Sequence, residues 1–234
     1  MRYPDRRSFL TGISVGGLAL ALGACQRTTT ASVPLAPIQP MSYAPVDSYG
    51  PVADKFPVAA FDTSSVNPIY LRRQVPFTTT EPVGTIVIDP RQHFLYLVQQ
   101  GGTAMRYGVG VGKEGFGWSG TATINSKQEW PDWYPPKEMV ARRPDIKAQL
   151  SKLQGGDGVA GGLSNPLGAR AMYLYQNGKD TLFRIHGTLE PNTIGTNVSS
   201  GCIRMINQDA MDLYSRTPTG TRVVVLGGAK PAGV

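Results

Sequence analysis

The sequence is poor in the residues that staple or metallate small domains. Its 234 residues include two cysteines, Cys25 and Cys202, and two histidines, His93 and His186. Two cysteines exclude a disulfide-dense scaffold and a four-cysteine zinc site. Two histidines exclude a three-histidine metal centre within one chain. Charged residues make up only 17%, and no run of lysine and arginine reaches three. That leaves no basic stripe for nucleic acid. The longest uncharged apolar stretch, near the N-terminus, is short and glycine-rich against the about 20 residues a spanning helix needs. Hydrophobic residues reach 41%, which excludes wholesale disorder and allows a core without staples. The 28 glycines and 19 prolines predict many turns, as in a β-rich domain rather than a helix bundle.

Residues 1–24 read as an address rather than as part of a fold. Arg6 and Arg7 precede Phe9-Leu10, and the stretch from Ser8 to Ala24 carries no charge. This resembles a twin-arginine export signal. Leu22-Gly23-Ala24-Cys25 resembles a lipoprotein processing box, in which Cys25 is lipidated and becomes the mature N-terminus. The plainer alternative is an ordinary secretory signal with a chance cysteine. Removing residues 1–24 lowers the charge from +7 to +5, a weak attraction at most to an anionic envelope surface. Gln26 in place of an aspartate leans toward the outer membrane, by analogy with enterobacterial sorting. A lipidated Cys25 could not bond Cys202, which would then be a lone thiol in an oxidising compartment.

Residues 25–80 hold eight prolines and no sustained period, the composition of an extended tether. The part nearest the domain, from Phe56 to Val75, has aromatics that can pack on it. A domain follows over residues 81–228, with a tail at 229–234. Thr85–Asp89, Phe94–Val98, Met105–Val111, Ala171–Tyr175, Leu182–His186 and Arg222–Leu226 predict strands, the first three as an antiparallel meander. Helices are predicted from Arg143 toward Leu150 and from Asn207, a good cap residue, to Ser215. Residues 112–168 contain Trp118, Trp130 and Trp133 amid many glycines and prolines. This predicts a long loop pinned by aromatics, either a surface loop or a lid over a binding site.

Two residues stand out chemically. Cys202 lies in Ser200-Gly201-Cys202-Ile203-Arg204-Met205, and His186 ends the apolar strand Phe183-Arg184-Ile185-His186 before Gly187-Thr188. A thiol becomes a nucleophile as thiolate, and an imidazole beside it can take the proton. Gly201 lets the backbone turn before the cysteine. The N–H groups of Gly201 and Cys202 could face a developing oxyanion. Arg204 would share a face with Cys202 in an extended segment, to favour thiolate or bind a carboxylate in a fork. Against this stands the ordinary role of a lone cysteine as a small buried hydrophobe. Cys202 and His186 alone are too few ligands for a metal.

His186-Gly187-Thr188, Ser200-Gly201-Cys202-Ile203-Arg204-Met205 and Asp209 together resemble the signature of L,D-transpeptidases with the YkuD-type catalytic domain. Ile88-Asp89 to Leu97, Gly110-Val111-Gly112-Lys113, Trp133-Tyr134-Pro135-Pro136 and Asn165-Pro166-Leu167-Gly168 resemble its other landmarks. The resemblance runs from Gly84 to Leu226. It implies a mainly β, sandwich-like fold with flanking helices and a lid. It implies a cysteine peptidyl transferase acting on the tetrapeptide stems of peptidoglycan, with no cofactor or metal. Cys202 would be the nucleophile, His186 the proton donor and acceptor, and the Gly187 carbonyl would orient His186. Arg204, Ser200, Thr188 and Trp133 would bind substrate. The acceptor amine would be another stem, an envelope lipoprotein or a D-amino acid; water would make the chain an L,D-carboxypeptidase. Many members carry histidine where this chain has Ser200, whose hydroxyl does not titrate near neutrality. Gly120-Thr121 stands where a Pro-Thr-Gly type turn is frequent, which predicts a looser lid. His93 reads as a surface residue. Two other classes compete with the enzyme: a non-catalytic peptidoglycan-binding lipoprotein, and a thiol redox protein, which the lack of a Cys-x-x-Cys pair disfavours.

Overall fold

The computed structural model describes residues 46–112, 118–199 and 201–227. The signal, Cys25, Ser200 and the tail lie outside the described residues. The chain runs through β1 (Arg73–Pro76), β2 (Ile86–Asp89), β3 (Phe94–Gln99), β4 (Thr103–Gly108), β5 (Val111–Gly112) and β6 (Gly120–Glu129). Helices α1 (Lys137–Arg142) and α2 (Pro144–Lys147) precede the short strands β7 (Ser151–Leu153) and β8 (Gly156–Gly158). Then come β9 (Arg170–Gln176), β10 (Lys179–His186), β11 (Asn197–Ser199), β12 (Ile203–Arg204), α3 (Asn207–Arg216) and β13 (Arg222–Val225). Nine strands form one mixed sheet in the order β1-β4-β3-β2-β13-β6-β9-β10-β12. The protein is thus mainly β, with three α-helices among the described residues. No helix among the described residues is long and apolar enough to cross a membrane.

The predicted meander is present as β2, β3 and β4, paired antiparallel through Ile86↔Leu97 and Leu97↔Met105. Its β-branched and aromatic residues suit a pleated, half-buried surface. Strand β13 pairs parallel with β2 and antiparallel with β6, which joins the meander to β9 and β10. Both arms of the sheet feed one core. Ile86, Ile88, Leu95 and Tyr107 from one arm share a buried cluster with Met172, Leu174, Ile185 and Ile203 from the other, and Ala210 and Leu213 of α3 join it. Lys127 of β6 donates to the carbonyls of Tyr214 and Thr217 at 2.7 and 2.6 Å. It thereby satisfies acceptors that the C-terminus of α3 leaves without helical partners.

Two expectations need correction. The first is the loop over 112–168. Its early part is β6, the longest strand of the sheet, with Ala122 and Ile124 buried. Only those two side chains of Thr121–Glu129 are apolar, and a bulge between Ile124 and Ser126 breaks the alternation. The remainder holds α1, α2 and the β7–β8 ribbon. Trp118 packs on Phe183 at the core's edge, while Trp130 is buried against Phe56, Val58 and Ala169. The second is the tether. From Asp47 onward the chain is packed on the domain. Tyr49 and Val66 bury with Ile194 and Ile206, and β1 extends the sheet along β4. Asp54 pairs with Arg170 at 2.6 Å, and Arg72 with Asp212 at 3.1 Å. The expected packing of Phe56 to Val75 is observed, and the packed segment starts earlier. Pro68 opens a short 3₁₀ turn and Pro76 ends the edge strand β1, so these prolines shape packed turns and edges.

Candidate active site

The register of three strands builds the site. Strand β10 pairs parallel with β12 through Ile185↔Ile203 and His186↔Arg204. One step earlier, Cys202 falls beside Arg184. Paired residues share a face, and so do residues two apart along a strand. Cys202, Arg184, His186 and Arg204 therefore occupy one face, while Ile185 and Ile203 point into the core. On β9 the same face carries Tyr173, paired with Arg184, and Ala171, paired with His186. Cys202 and His186, sixteen positions apart by number, become diagonal neighbours on adjacent strands.

The backbone before Cys202 needs its glycine. Gly201 has φ +123°, and a Cβ there would lie 3.1 Å from the Phe183 ring. Only glycine adopts that conformation without strain. Cys202 itself is partly exposed. Surrounding protein nonetheless desolvates its thiol and raises its pKa; the Arg184 N–H and the Arg184 and Arg204 guanidiniums pull the other way.

His186 is buried, and its Nδ1 lies 2.5 Å from the Gly187 carbonyl oxygen. A carbonyl only accepts, so Nδ1 carries the proton and donates. The neutral ring then keeps its lone pair on Nε2. Burial pushes the imidazolium pKa down to about 4; the Gly187 carbonyl opposes this, and the charges of Arg204 and Arg184 add to it. Both shifts favour a neutral thiol and a neutral imidazole over an ion pair at rest.

The other expected residues are distributed as follows. Arg204 shares the face but is engaged: Nη1 donates to Glu190 Oε2 at 2.6 Å. Thr188 is buried, and its hydroxyl accepts from the Glu190 N–H in a turn. Trp133 is half-buried in an isolated pairing with Val159, where no hydrogen bond among the described residues ties it to β10 or β12. His93, read as a surface residue, bonds Asn197 through Nε2 at 2.7 Å and stacks edge-on against Tyr70. Sequence reasoning missed Arg184. The structure brings it beside Cys202 with Nη1 and Nη2 each donating to Asp180 at 2.8 Å and the cation over Tyr173. Its signal was present: two residues before His186, it had to share that residue's face. Among the described residues no cluster of three His, Cys, Asp or Glu side chains is arranged for a metal.

The sequence pattern of the YkuD family, the L,D-transpeptidase catalytic domain, matches residues 84–225. A putative L,D-transpeptidase from the ATP synthase subunits region of Fuscovulum blasticum is 36% identical, over 46% of this chain and 49% of that protein. The probable L,D-transpeptidase YbiS of Escherichia coli K12 is 32% identical, over 59% of this chain and 43% of that protein. The matches span about half the length of these curated relatives or less. A solved structure titled as a probable carnitine operon oxidoreductase from Brucella melitensis is 53% identical, over 69% of this chain and 97% of that one, with a TM-score of 0.46.

Proposed function

The chain belongs to the YkuD family of L,D-transpeptidase catalytic domains, and from that premise we propose that it transfers peptidoglycan stem peptides through a thioester on Cys202. The observation that carries the proposal is the shared face of Cys202 and His186, with His186 Nδ1 committed to the Gly187 carbonyl. That arrangement leaves Nε2 to accept the thiol proton as sulfur attacks.

The steps follow from this. Sγ attacks the carbonyl carbon of the third stem residue, and the thiol proton passes to His186 Nε2. The N–H groups of Gly201 and Cys202 receive the developing oxyanion. The C–N bond to the terminal D-alanine then breaks, and His186 returns the proton to the leaving amine. An acceptor amine attacks the thioester and gives up a proton to His186 Nε2, the C–S bond breaks, and His186 passes that proton to sulfur. Because the resting pair is neutral, the proton moves with the attack rather than before it. Arg204 binds a substrate carboxylate when Glu190 yields it; Thr188, Ser200 and Trp133 complete the substrate contacts. The export signal and Cys25 motivate an envelope location with a lipid anchor, facing the periplasm and more at home in the outer membrane than the inner. Loss of palmitate labelling in Cys25→Ala tests the anchor.

The activity is tested with a tetrapeptide muropeptide and excess D-methionine, products read by mass spectrometry, with Cys202→Ala beside the native protein. Replacement of the terminal D-alanine is the expected result. Tripeptide alone assigns a carboxypeptidase instead. Unchanged substrate while Cys202 still alkylates contradicts the proposal and favours a binding lipoprotein.

A further inference from the structure

Three separated residues meet behind His186. Asn207, the first residue of α3, does not cap its helix; Ile206 holds the cap position. Its carboxamide reaches across instead. Oδ1 accepts from the Ala169 N–H at 3.0 Å, and Nδ2 donates to the Thr188 carbonyl at 3.1 Å. The carboxamide fits because two side chains are absent. A Cβ on Gly187 would lie 2.1 Å from Asn207 Oδ1, and one on Gly168 would lie 2.2 Å from it. Gly168 has φ +63°, which by itself favours glycine. Gly187 is not among the glycines with positive φ. Its need for glycine is therefore room for Asn207. Asn207 holds the peptide next to the one that matters: the Gly187 carbonyl accepts from His186 Nδ1, and the following carbonyl, of Thr188, accepts from Asn207.

We propose that Asn207 is a positioning residue: its carboxamide fixes the Gly187–Thr188 backbone, and the Gly187 carbonyl so held keeps His186 with Nδ1 protonated and Nε2 open toward Cys202. An amide is required, because one neighbour donates and the other accepts. A carboxylate of the same shape keeps the Ala169 bond but faces the Thr188 carbonyl with a second acceptor. The peptide then turns away, and the imidazole loses the partner that selects its tautomer. The catalytic consequence rests on the proposed transfer; the tautomer itself does not.

The test uses [15N]histidine-labelled protein, Asn207→Asp and, as a smaller neutral change, Asn207→Ser. The chain has two histidines, so a His93→Gln spectrum assigns the ring of His186. The native protein is expected to show one tautomer, Nδ1–H, near pH 7. Both variants are expected to gain the Nε2–H tautomer, with kcat for D-amino-acid exchange down about tenfold or more and KM little changed. A His186 ring that stays wholly Nδ1–H in both variants overturns the inference, whatever happens to rate. A tautomer shift in a protein without exchange activity leaves the positioning role standing and removes the proposed reaction.

Discussion

The neutral resting pair makes a sharp prediction for the reactivity of Cys202 with pH. Burial lowers His186 to about 4. At pH 7 that leaves about one imidazolium in a thousand molecules, since each unit is a factor of ten. The same burial holds the thiol above its ordinary 9.0. Thiolate is then populated neither by proton transfer to His186 nor by simple ionisation until the solution is alkaline. Alkylation by iodoacetamide should therefore rise about tenfold per pH unit between about pH 6 and pH 9, near a thousandfold in all. The assay is the pseudo-first-order loss of unmodified mass in a Cys25→Ser background, where Cys202 is the single thiol. His186→Gln should leave that slope intact, because the imidazole holds no proton from the thiol at rest, yet it should slow transfer by about 10²–10⁴. A rate flat from pH 5 to pH 8, collapsing in His186→Gln, would mean a preformed thiolate–imidazolium pair and would refute the electrostatic reading.

Other consequences are as direct. Burial pushes Asp209 up to about 7 from 3.8, with Arg72 and the Tyr49 hydroxyl opposing. The folded chain thus keeps a proton that the unfolded chain has lost, so the stability this provides is complete below pH 3.8 and lost as pH rises through 7. The melting temperature of Asp209→Asn minus that of the native protein should therefore grow from about pH 4 to pH 8; parallel curves contradict it. Using the difference cancels His186, whose lowered value acts in the opposite sense between 6.5 and 4. Tyr49→Ala should destabilise the domain by about 3 kcal/mol in thermal denaturation, because Tyr49 is buried and bonds both Asp209 and the Arg72 N–H. No change would return residues 47–80 to the status of a tether. Gly201→Ala should lower exchange through the strained turn at φ +123°, costing about 1–3 kcal/mol of local strain. Native rates in that variant would contradict the need for glycine.

The sequence was most legible where local pattern and burial agree. Strands β2, β3, β4, β9, β10 and β13 carry β-branched or aromatic runs, and each was expected within a few residues. Strand β6 was hidden because its outward side is Thr, Asn, Ser and Gln, and because a bulge interrupts its period. The parallel closure of β13 on β2 depends on contacts far apart in sequence, which no window reports. The packing of residues 47–80 was masked by their prolines, although Tyr49, Val58 and Val66 have the apolar surface to bury. At the site, the motif singled out Cys202, His186 and Gly187, which the fold places on neighbouring strands and in one hydrogen bond. Arg184 was not singled out: its spacing from His186 puts it on that face, but nothing local shows that β12 will lie beside it. Asn207 was read as a helix cap, the usual use of asparagine there; the structure uses its amide across the fold instead.

A thioester on Cys202 is tested by the intact mass of the protein after brief exposure to a tetrapeptide stem without acceptor amine. An adduct equal to the stem less its terminal D-alanine is expected, located on the peptide that carries Cys202 and absent from Cys202→Ala. Release of D-alanine by Cys202→Ala at the native rate, with no adduct on the native chain, would contradict it.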